Sequence, residues 1–444
     1  MNARKKLVNI YAFLNLGKLL LSFPRDPDKT RQMQLKKLRC LLSRAWDDHE
    51  FYRDRMANAG FDPRRISRLE ELEKLPPLTK EEYRAFTNDQ LSLHPDKYLS
   101  WYFDQTSGST GTPLRIVRSW PERGYMMAKW LRAIHMNGYS PRHRTLRIIA
   151  PHRMTGEKDT FLQHLGLFRF HMVSYFASGR EMAEAFQKIR PDFFYANRTQ
   201  AAETAQYILD SGMSIRKPLI YSVGAEIIDP NSRHLFNQVF GKDNFFENYG
   251  CEETGILAFQ LKGEEGLYFC HDTNILELIN PDGSPAEEKG EVLITDLGIN
   301  SFPLVRYRLG DTVETFDRDA GLPGIKVVRG RTEDWLYWKD GTKTSNVFFY
   351  EILGQFSSQI SRFRVVQENI GLVRIFIVVL PCVRGQNARE RLRKEIVSCM
   401  KKEMRPEIEY RVEYVQTIPP DPSGKLGIIS TKIKHPEKLS RTSE

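Results

Sequence analysis

The spacing of apolar residues predicts helices in the first part of the chain. Between residues 30 and 60, apolar side chains recur at the three- and four-residue spacing of one helix face, which predicts a single basic amphipathic helix ending near Gly60. Ahead of them, an apolar run from Leu7 to Phe23 is shorter than the ~20 apolar residues that a membrane-spanning helix needs. Two interpretations of this run stay open: a helix packed on the body of the protein, or an amphipathic helix on a membrane surface.

Strands and further helices are predicted up to residue 240. A strand is expected at Tyr98–Phe103 and a helix at Pro121–Met136, whereas Thr79 suits the cap of an earlier helix. Beyond residue 140, short apolar runs alternate with amphipathic segments, which predicts layered α/β structure with a largely parallel sheet. The expected strands are Leu146–Ala150, Phe193–Tyr195 and Leu219–Val223, and the expected helices are Gly179–Ile189, Ala201–Ser211 and Pro230–Phe240.

From about residue 266 the pattern changes to short strands and turns. It predicts an antiparallel sheet or small barrel up to about residue 330, and then a smaller α+β unit. In that unit, a helix near 346–357 and another at 387–404 are expected. The predicted class is α/β: a large domain of layered α/β subdomains with the antiparallel sheet, followed by a small mobile α+β domain. The predicted boundaries are a basic apolar segment at 1–30, a large domain at 31–332, a small domain at 333–434 and a flexible tail at 435–444.

Composition and charge narrow the class of protein. With 444 residues, 41% of them hydrophobic and 27% charged, the chain is expected to be a soluble protein of more than one domain. A net charge of +10 suits anionic small molecules such as nucleotides and coenzyme A. Nucleic-acid-binding signatures are missing, so we expect no nucleic-acid partner. Five scattered cysteines and an N-terminus without a cleavage site predict a cytoplasmic protein, with contact at the inner membrane face left open.

A Ser/Thr/Gly stretch is the first candidate for chemistry. Thr106–Pro113 holds two glycines and five hydroxyl residues. Glycine lets the backbone approach a ligand closely, successive amides can form an anion-binding nest, and hydroxyls add donors. The stretch lacks the Gly-Lys-Ser/Thr ending of a P-loop. It is therefore either a phosphate-binding loop of another kind or a plain surface loop.

Three later stretches carry candidate polar groups. Glu252 and Glu253 lie together beside an aromatic residue and glycines, and such carboxylates can hold Mg²⁺. Asp311, expected on a tight turn at the end of the stretch Arg306–Asp311, can accept the hydroxyls of a ribose. Lys425 lies on a glycine loop. Each residue alone also fits an ordinary solvated surface position.

The order of these stretches resembles the adenylate-forming enzymes, the superfamily of acyl-CoA synthetases, adenylation domains and luciferases. Gly224-Ala225-Glu226 and Gly330–Asp334 fall at the expected places between them. Within the superfamily, the chain is most similar to the phenylacetate–CoA ligase family and its capsular-polysaccharide (CapK-type) relatives. Phe51-Tyr52-Arg53, Ala59-Gly60 and Leu75–Lys80 carry that closer resemblance. The resemblance covers about residues 35–430.

The resemblance implies a two-step reaction. A carboxylic acid attacks the α-phosphorus of ATP, pyrophosphate leaves, and the acyl-adenylate is then attacked by the thiol of coenzyme A or by another acceptor. Mg²⁺ would assist the first step, and the small domain would rotate about Glu333 or Asp334 between the steps. Catalysis of this kind is mostly positioning and charge neutralisation.

The resemblance also implies roles for single residues. Lys425 would bridge the substrate carboxylate and the α-phosphate, and Glu253 would hold Mg²⁺. Asp311 would bind the ribose with Arg331 nearby. The remaining predicted nucleotide contacts are Thr106, Ser107, Gly108, Ser109, Thr110 and Gly111 at the β- and γ-phosphates, Gly224, Ala225 and Glu226 at the adenine, and Tyr249 stacked beside it with Gly250 next in the chain.

Some assignments stay open at this point. Glu252 stands where the family usually has Ser or Thr, and a carboxylate repels phosphate oxygens unless a cation intervenes. Cys251, Cys270 and His271 are weak candidates for zinc, and buried structural cysteines are favoured. Three hypotheses remain: an acid–CoA ligase, an adenylating enzyme that acylates an amine, hydroxyl or carrier thiol, and a non-catalytic relative. The acid is unidentified, its pocket is expected within residues 135–250 near Tyr175, Phe176 and Tyr195, and a homodimer is left open.

Overall fold

The computed structural model describes two compact groups of residues. One group contains residues 1–140 and 246–328, and the other contains residues 141–245 and 329–444. We call them unit 1 and unit 2. The described residues are 3–24, 26–105, 114–149, 161–224, 228, 230–318, 322–331, 335–340, 343–345, 349, 352–353, 355–356, 359–380, 383, 385–419 and 429–433.

Six α-helices of the described chain lie in unit 1, together with a 3-10 helix at Leu69–Lys74. His49, whose backbone is extended (φ −135°, ψ 115°), separates two of them, so the single helix predicted at 30–60 is wrong. Thr79 caps a helix by accepting from the Glu82 amide, while the Glu82 carboxylate accepts from the Thr79 amide. The helices are α1 Ala3–Leu21, α2 Pro27–Asp48, α3 Glu50–Asn58, α4 Lys80–Leu93, α5 Pro95–Tyr98 and α6 Trp120–Met136.

Helix α1 packs on α6. The apolar run at Leu7–Phe23 therefore lies, up to Leu21, in a helix packed on the body of the protein, which is the first of the two interpretations above. Val8, Ala12 and Leu19 are buried. Gly124 of α6 lies so close that an added Cβ would be 2.5 Å from Tyr11 Cβ and 3.0 Å from Val8 O. Throughout the part of the chain that the structure describes, no helix has the length and apolar character needed to cross a bilayer.

The strands of unit 1 are mainly antiparallel. β1 (Tyr102–Gln105) pairs with β2 (Arg115–Arg118). The strand predicted at Tyr98–Phe103 is wrong in its first part, because α5 ends at Tyr98, a turn follows, and β1 begins only at Tyr102.

Unit 2 opens with a parallel α/β layer. The order of its strands in the sheet is β4-β3-β5-β6, and every pair is parallel, as predicted. β4 was not predicted, because its polar residues lie at the edge of the sheet. The elements are β3 Arg144–Ile149, α7 Phe161–His164, β4 Arg169–Ser174, α8 Gly179–Ile189, β5 Phe193–Asn197, α9 Arg198–Asp210, β6 Ile220–Gly224 and α10 Pro230–Phe240.

Two antiparallel arrangements follow in the chain. β7, β8 and β9 form consecutive antiparallel pairs. β10 to β13 form a four-stranded sheet in chain order, with antiparallel β10–β11 and β11–β12 pairs, which agrees with the sheet predicted over 266–330. The strands are β7 Phe245–Cys251, β8 Gly255–Phe259, β9 Tyr268–Phe269, β10 Asn274–Ile279, β11 Lys289–Asp296, β12 Tyr307–Asp317 and β13 Pro323–Arg331.

The remainder of unit 2 is a small α+β structure. Its sheet has the order β18-β17-β16-β19, and α11, which corresponds to the helix predicted at 387–404, covers it with Leu392, Ile396 and Met400 fully buried. Most of the helix predicted near 346–357 lies outside the described residues. The elements are β14 Trp335–Tyr337, β15 Lys343–Ser345, β16 Ile360–Asn369, β17 Leu372–Val379, α11 Gln386–Glu403, β18 Glu409–Tyr414 and β19 Ile429–Thr431. The predicted α/β class is confirmed, and the domain boundaries stay predictions.

Candidate active site

Glu253 lies in the turn that joins β7 to β8. Cys251 pairs with Gly255 across this turn, and Gly255 takes φ +71°, a value that favours glycine. The Glu253 residue is only 9% exposed. Tyr307, at the start of β12, donates from Oη to Glu253 Oε1 at 3.2 Å. In the described part of the chain, only this one oxygen of the Glu253 carboxylate is hydrogen-bonded, so the second oxygen can serve a cation.

Tyr307 is suited to act as a permanent donor. Its residue is 1% exposed, and burial together with the neighbouring Glu253 charge raises the pKa of its phenol far above the usual value of 10.0. The phenol therefore stays protonated at all physiological pH values. Tyr307 was not predicted as a site residue, although it lies within the Arg306–Asp311 stretch.

Asp311 forms a second polar pair with Tyr249. Tyr249 Oη donates to Asp311 Oδ2 at 2.8 Å. The expected tight turn at Asp311 is wrong: the residue lies inside β12, where three residues ending at Asp311 lie opposite Val292 of β11. Gly310 provides the positive φ of +79° at this bulge. A bulge turns a side chain out of the strand alternation, which directs the Asp311 carboxylate to Tyr249.

Two stretches that carried the family resemblance contact each other. The Leu78 amide donates to Arg306 O at 2.8 Å, and the Arg308 amide donates to Leu78 O at 2.9 Å. Arg306 has φ +51°, an uncommon value for a residue with a side chain, and its guanidinium donates to Glu277 Oε1 at 2.9 Å. The loop at Leu75–Lys80 therefore fixes the beginning of the strand that carries Tyr307 and Asp311.

Arg118 joins the same turn from the other side. It ends β2 and donates from Nη2 to the carbonyl oxygens of Glu252 and Glu253, the latter at 2.7 Å. The predicted phosphate loop connects β1 to β2, since Gln105 pairs with Arg115 just outside it. The loop therefore leads directly into β2, the strand whose last residue, Arg118, contacts the Glu253 turn.

Several predicted site residues lie outside the described residues. Of the others, Glu253, Tyr249, Gly250 and Asp311 come together in unit 1, and an added Cβ at Gly250 would lie 2.3 Å from Gly255 O. Gly224 ends β6 of unit 2, and only the backbone of Arg331 is described. Outside the described residues are Thr106, Ser107, Gly108, Ser109, Thr110, Gly111, Ala225, Glu226, Glu333, Asp334 and Lys425.

The zinc candidates have other partners. Cys251 Sγ shares a hydrogen bond with Thr254 Oγ1 at 3.1 Å, and His271 Nε2 donates to Pro323 O at 2.9 Å. Burial raises the pKa of the Cys251 and Cys270 thiols. Among the described residues, no three His, Cys, Asp or Glu side chains are grouped to hold a metal ion. Both cysteines are thiols in buried or half-buried positions.

Two other regions have features of a binding site. A pocket with a volume of about 740 Å³ is lined by α3 and the Leu75–Pro77 segment, and of the Arg306–Asp311 stretch it includes only Arg306. It is therefore distinct from the Glu253 turn. In unit 2, the predicted acid-pocket residues Tyr175 and Phe176 have ring centroids 4.3 Å apart, with Phe176 61% exposed and Tyr195 half-buried. The acid pocket remains a prediction.

Comparisons with known proteins show which families the chain resembles. Residues 336–432 match the family model of the CapK C-terminal domain. The chain is 25% identical over 337 residues to a phenylacetate-coenzyme A ligase of Pseudomonas putida, covering 70% of this chain and 72% of the relative. It is 22% identical over 414 residues to Protein CapK of Staphylococcus aureus, covering 87% of this chain and 85% of the relative.

Solved structures show the same fold. A 2-hydroxyisobutyryl-CoA ligase in the postadenylation state superposes with a TM-score of 0.74 at 17% identity, covering 94% of this chain and 92% of that one. An anthranilate CoA ligase in complex with anthranoyl-AMP gives a TM-score of 0.56 at 16% identity, covering 73% and 65%. The comparisons confirm the resemblance and the enzyme class inferred from the sequence: the chain has the fold of adenylate-forming acid ligases and is similar in sequence to phenylacetate–CoA ligases and to CapK.

Proposed function

We propose that this enzyme activates a carboxylic acid with ATP as an acyl-adenylate, releases pyrophosphate, and transfers the acyl group to coenzyme A. The observation that carries the proposal is the meeting of Glu253, Tyr307, Tyr249 and Asp311 in one unit. The buried Glu253 carboxylate has one oxygen without a described hydrogen bond. The Asp311 carboxylate is positioned by the hydroxyl of Tyr249. The relatives named as phenylacetate–CoA ligases support the reaction class.

The residues of the turn fit a magnesium ion of the nucleotide. Mg²⁺ is usually held by one or two protein carboxylates together with substrate phosphates. Glu253 would provide one such oxygen, and when bound the ion would neutralise phosphate charge. The nearby Glu252 is compatible with this role, because a cation offsets the repulsion between its carboxylate and a phosphate.

The other roles follow the superfamily resemblance. Asp311, bonded to Tyr249, would accept the ribose hydroxyls, and the loop at Thr106–Pro113 would bind the outer phosphates. Lys425 would stabilise the charge that builds between the substrate carboxylate and the α-phosphate. Arg331 would lie near the ribose, and the chain would hinge at Glu333 or Asp334.

A second candidate function is acyl transfer to an amine, a hydroxyl or a carrier thiol. The similarity to CapK covers 87% of this chain, and the family model of the CapK C-terminal domain matches residues 336–432. In the mechanism implied by the resemblance, the C-terminal part moves between the two half-reactions. Because this part is similar to the C-terminal domain of CapK, the acyl acceptor could be one other than coenzyme A.

Pyrophosphate release with a panel of aryl and aliphatic acids tests the proposal. We expect release that depends on one class of acid, and formation of a thioester when coenzyme A is added. Adenylate formation without thioester formation would favour the second function. Failure to release pyrophosphate with every acid, ATP and Mg²⁺ would refute both.

Lys425→Ala separates the half-reactions. We expect it to abolish adenylate formation and to spare transfer from a supplied acyl-adenylate, because the lysine is needed only while charge builds at the α-phosphate. Lys432→Ala is a matched control: Lys432 pairs with Glu368 at 2.5 Å in the small sheet and has no proposed catalytic role. Equal loss of both half-reactions in the Lys425 variant would contradict the assignment.

A further inference from the structure

Three successive carbonyl oxygens of the β7–β8 turn accept hydrogen bonds from buried cations. Arg118 Nη2 donates to Glu252 O and to Glu253 O, the latter at 2.7 Å. Lys129 Nζ, from α6, donates to Thr254 O at 2.7 Å. The Arg118 and Lys129 residues are 2% and 0% exposed.

Burying two cations beside a turn of main-chain carbonyls is costly, which argues that the contacts serve a purpose. Lys129 has a counter-ion, because its Nζ lies 3.0 Å from Asp296 Oδ2 and both side chains are fully buried. Arg118 is different: in the described part of the chain its hydrogen-bond acceptors are main-chain carbonyls, and its Nε is buried without a partner. An unpaired buried donor of this kind carries a free-energy cost.

The two cations also fix the direction of the Glu253 side chain. When the carbonyls of residues 252 to 254 all point to Arg118 and Lys129, rotation of the intervening peptide groups is restricted. Tyr307 then orients the carboxylate itself. The backbone and the carboxylate are thus held by different side chains, and these contacts together restrict the second carboxylate oxygen.

We propose that Arg118 and Lys129 are positioning residues that hold the Glu252–Thr254 turn so that Glu253 presents its carboxylate to Mg²⁺. The consequence for catalysis rests on the proposed function, whereas the effect on the turn does not. Groups that orient a metal ligand typically change metal affinity by about 10–100-fold when removed.

Amide hydrogen exchange tests the effect on the turn without any assay of activity. In Arg118→Met, we expect the amides of residues 251–255 to exchange at least about tenfold faster than in the wild type, because loss of the side-chain contacts favours local opening. Arg115→Met is the matched control, since Arg115 is an exposed residue of the same strand. Unchanged exchange at the turn in a folded Arg118→Met protein would overturn the proposal.

The magnesium dependence of pyrophosphate release distinguishes two effects of Arg118, namely the positioning of the turn and the positive charge near the Mg²⁺ site. Removing a nearby positive charge without moving the turn would strengthen Mg²⁺ binding, because like charges repel. Loss of positioning has the opposite sign, so in Arg118→Met we expect the half-maximal Mg²⁺ concentration to rise about tenfold. Arg118→Lys keeps the charge on a shorter side chain, which weakens the contacts with the two carbonyls, so an intermediate rise is expected. A lower Mg²⁺ requirement in Arg118→Met would overturn the positioning role.

Lys129 requires a charge-balanced variant. Lys129→Met alone would leave Asp296 buried and unpaired, so we compare the double variant Lys129→Met/Asp296→Asn with Asp296→Asn. We expect the double variant alone to show faster exchange at residues 253–255 and a higher Mg²⁺ requirement. Identical behaviour would remove Lys129 from the proposal. An inactive wild type whose turn still depends on Arg118 would refute the proposed function and leave the positioning intact.

Discussion

At the scale of single residues, the hydrogen bond from Tyr307 to Glu253 gives the first prediction. Tyr307→Phe removes the donor and leaves the ring in place, so stability should fall by about 1 kcal/mol, as for one buried hydrogen bond. The Glu253 carboxylate loses its orientation, and the half-maximal Mg²⁺ concentration for pyrophosphate release should rise about tenfold. Titration of activity with Mg²⁺ at saturating ATP measures this.

Tyr83→Phe is the control for this substitution. Tyr83 Oη donates to Phe302 O at 3.2 Å, and its ring centroid lies 5.6 Å from that of Tyr307. It therefore loses a comparable hydrogen bond in the same neighbourhood, whereas the hydrogen bond to Glu253 is kept. Equal Mg²⁺ requirements in the two variants would contradict the role of Tyr307.

Asp311 gives a second prediction at this scale. If its carboxylate accepts the ribose hydroxyls, Asp311→Asn should raise KM for ATP more than for 2′,3′-dideoxyATP, because the dideoxy nucleotide cannot donate. Tyr249→Phe removes the 2.8 Å bond that orients Asp311, and KM for ATP should rise about fivefold, equivalent to about 1 kcal/mol. Steady-state kinetics with both nucleotides tests this, and equal effects on the two would exclude ribose recognition.

The sequence allowed us to predict the acidic residues of the candidate site, but not the buried cations that hold the turn beside them. Glu253 and Asp311 stand in recognisable stretches, so their acidic side chains were found. Arg118 and Lys129 are separated from the turn by more than a hundred residues, and nothing in their local sequence distinguishes them from surface cations. The one feature that could have revealed these two residues is a charged side chain at a strand or helix position where the apolar pattern predicts burial.

At the scale of elements, the packing of α1 on α6 gives a third prediction. Gly124→Ala would place its Cβ 2.5 Å from Tyr11 Cβ and 3.0 Å from Val8 O, so α1 must shift, at a cost of about 1–3 kcal/mol. Gly17→Ala, in α1 itself, meets nothing within 4 Å and should stabilise by about 0.5–1 kcal/mol through helix propensity. Thermal unfolding of both variants measures the difference, and equal effects would contradict close packing.

The elements that were predicted best are those whose apolar residues repeat at a regular helical spacing. The ranges of α8 and α10 agree with the structure, because their apolar faces point to one core. β4 was missed because its edge position leaves its residues mostly half-buried, without an apolar run. The break between α2 and α3 was also missed, since apolar spacing continues across His49 and only its extended backbone ends the first helix.

At the scale of the molecule, His271 predicts a loss of stability in acid. Burial lowers its pKa below the usual 6.5, whereas the unfolded chain titrates near 6.5. Below pH 6.5 the unfolded state therefore binds more protons, and the free energy of unfolding falls as pH decreases towards the folded pKa, by at most about 1.4 kcal/mol per pH unit. His271→Gln should reduce the shift in the unfolding midpoint between pH 7.5 and 5.5, and exposed His94→Gln should not. Equal shifts in both variants would contradict this origin.

A final prediction concerns unit 2, in which Arg362 of β16 forms an ion pair with Glu203 of α9. Both side chains are 27% exposed, so the attraction is modest, about 1 kcal/mol. If the small domain moves between half-reactions, this pair stabilises only one arrangement, and Arg362→Glu should change the ratio of adenylate formation to acyl transfer about five- to tenfold. Arg362→Glu/Glu203→Arg should restore the ratio, and Arg391→Glu, at an exposed position of α11, should leave it unchanged. Separate rates for each half-reaction decide the matter: a proportional loss in both, or no restoration by the reversed pair, would show that the contact contributes stability alone.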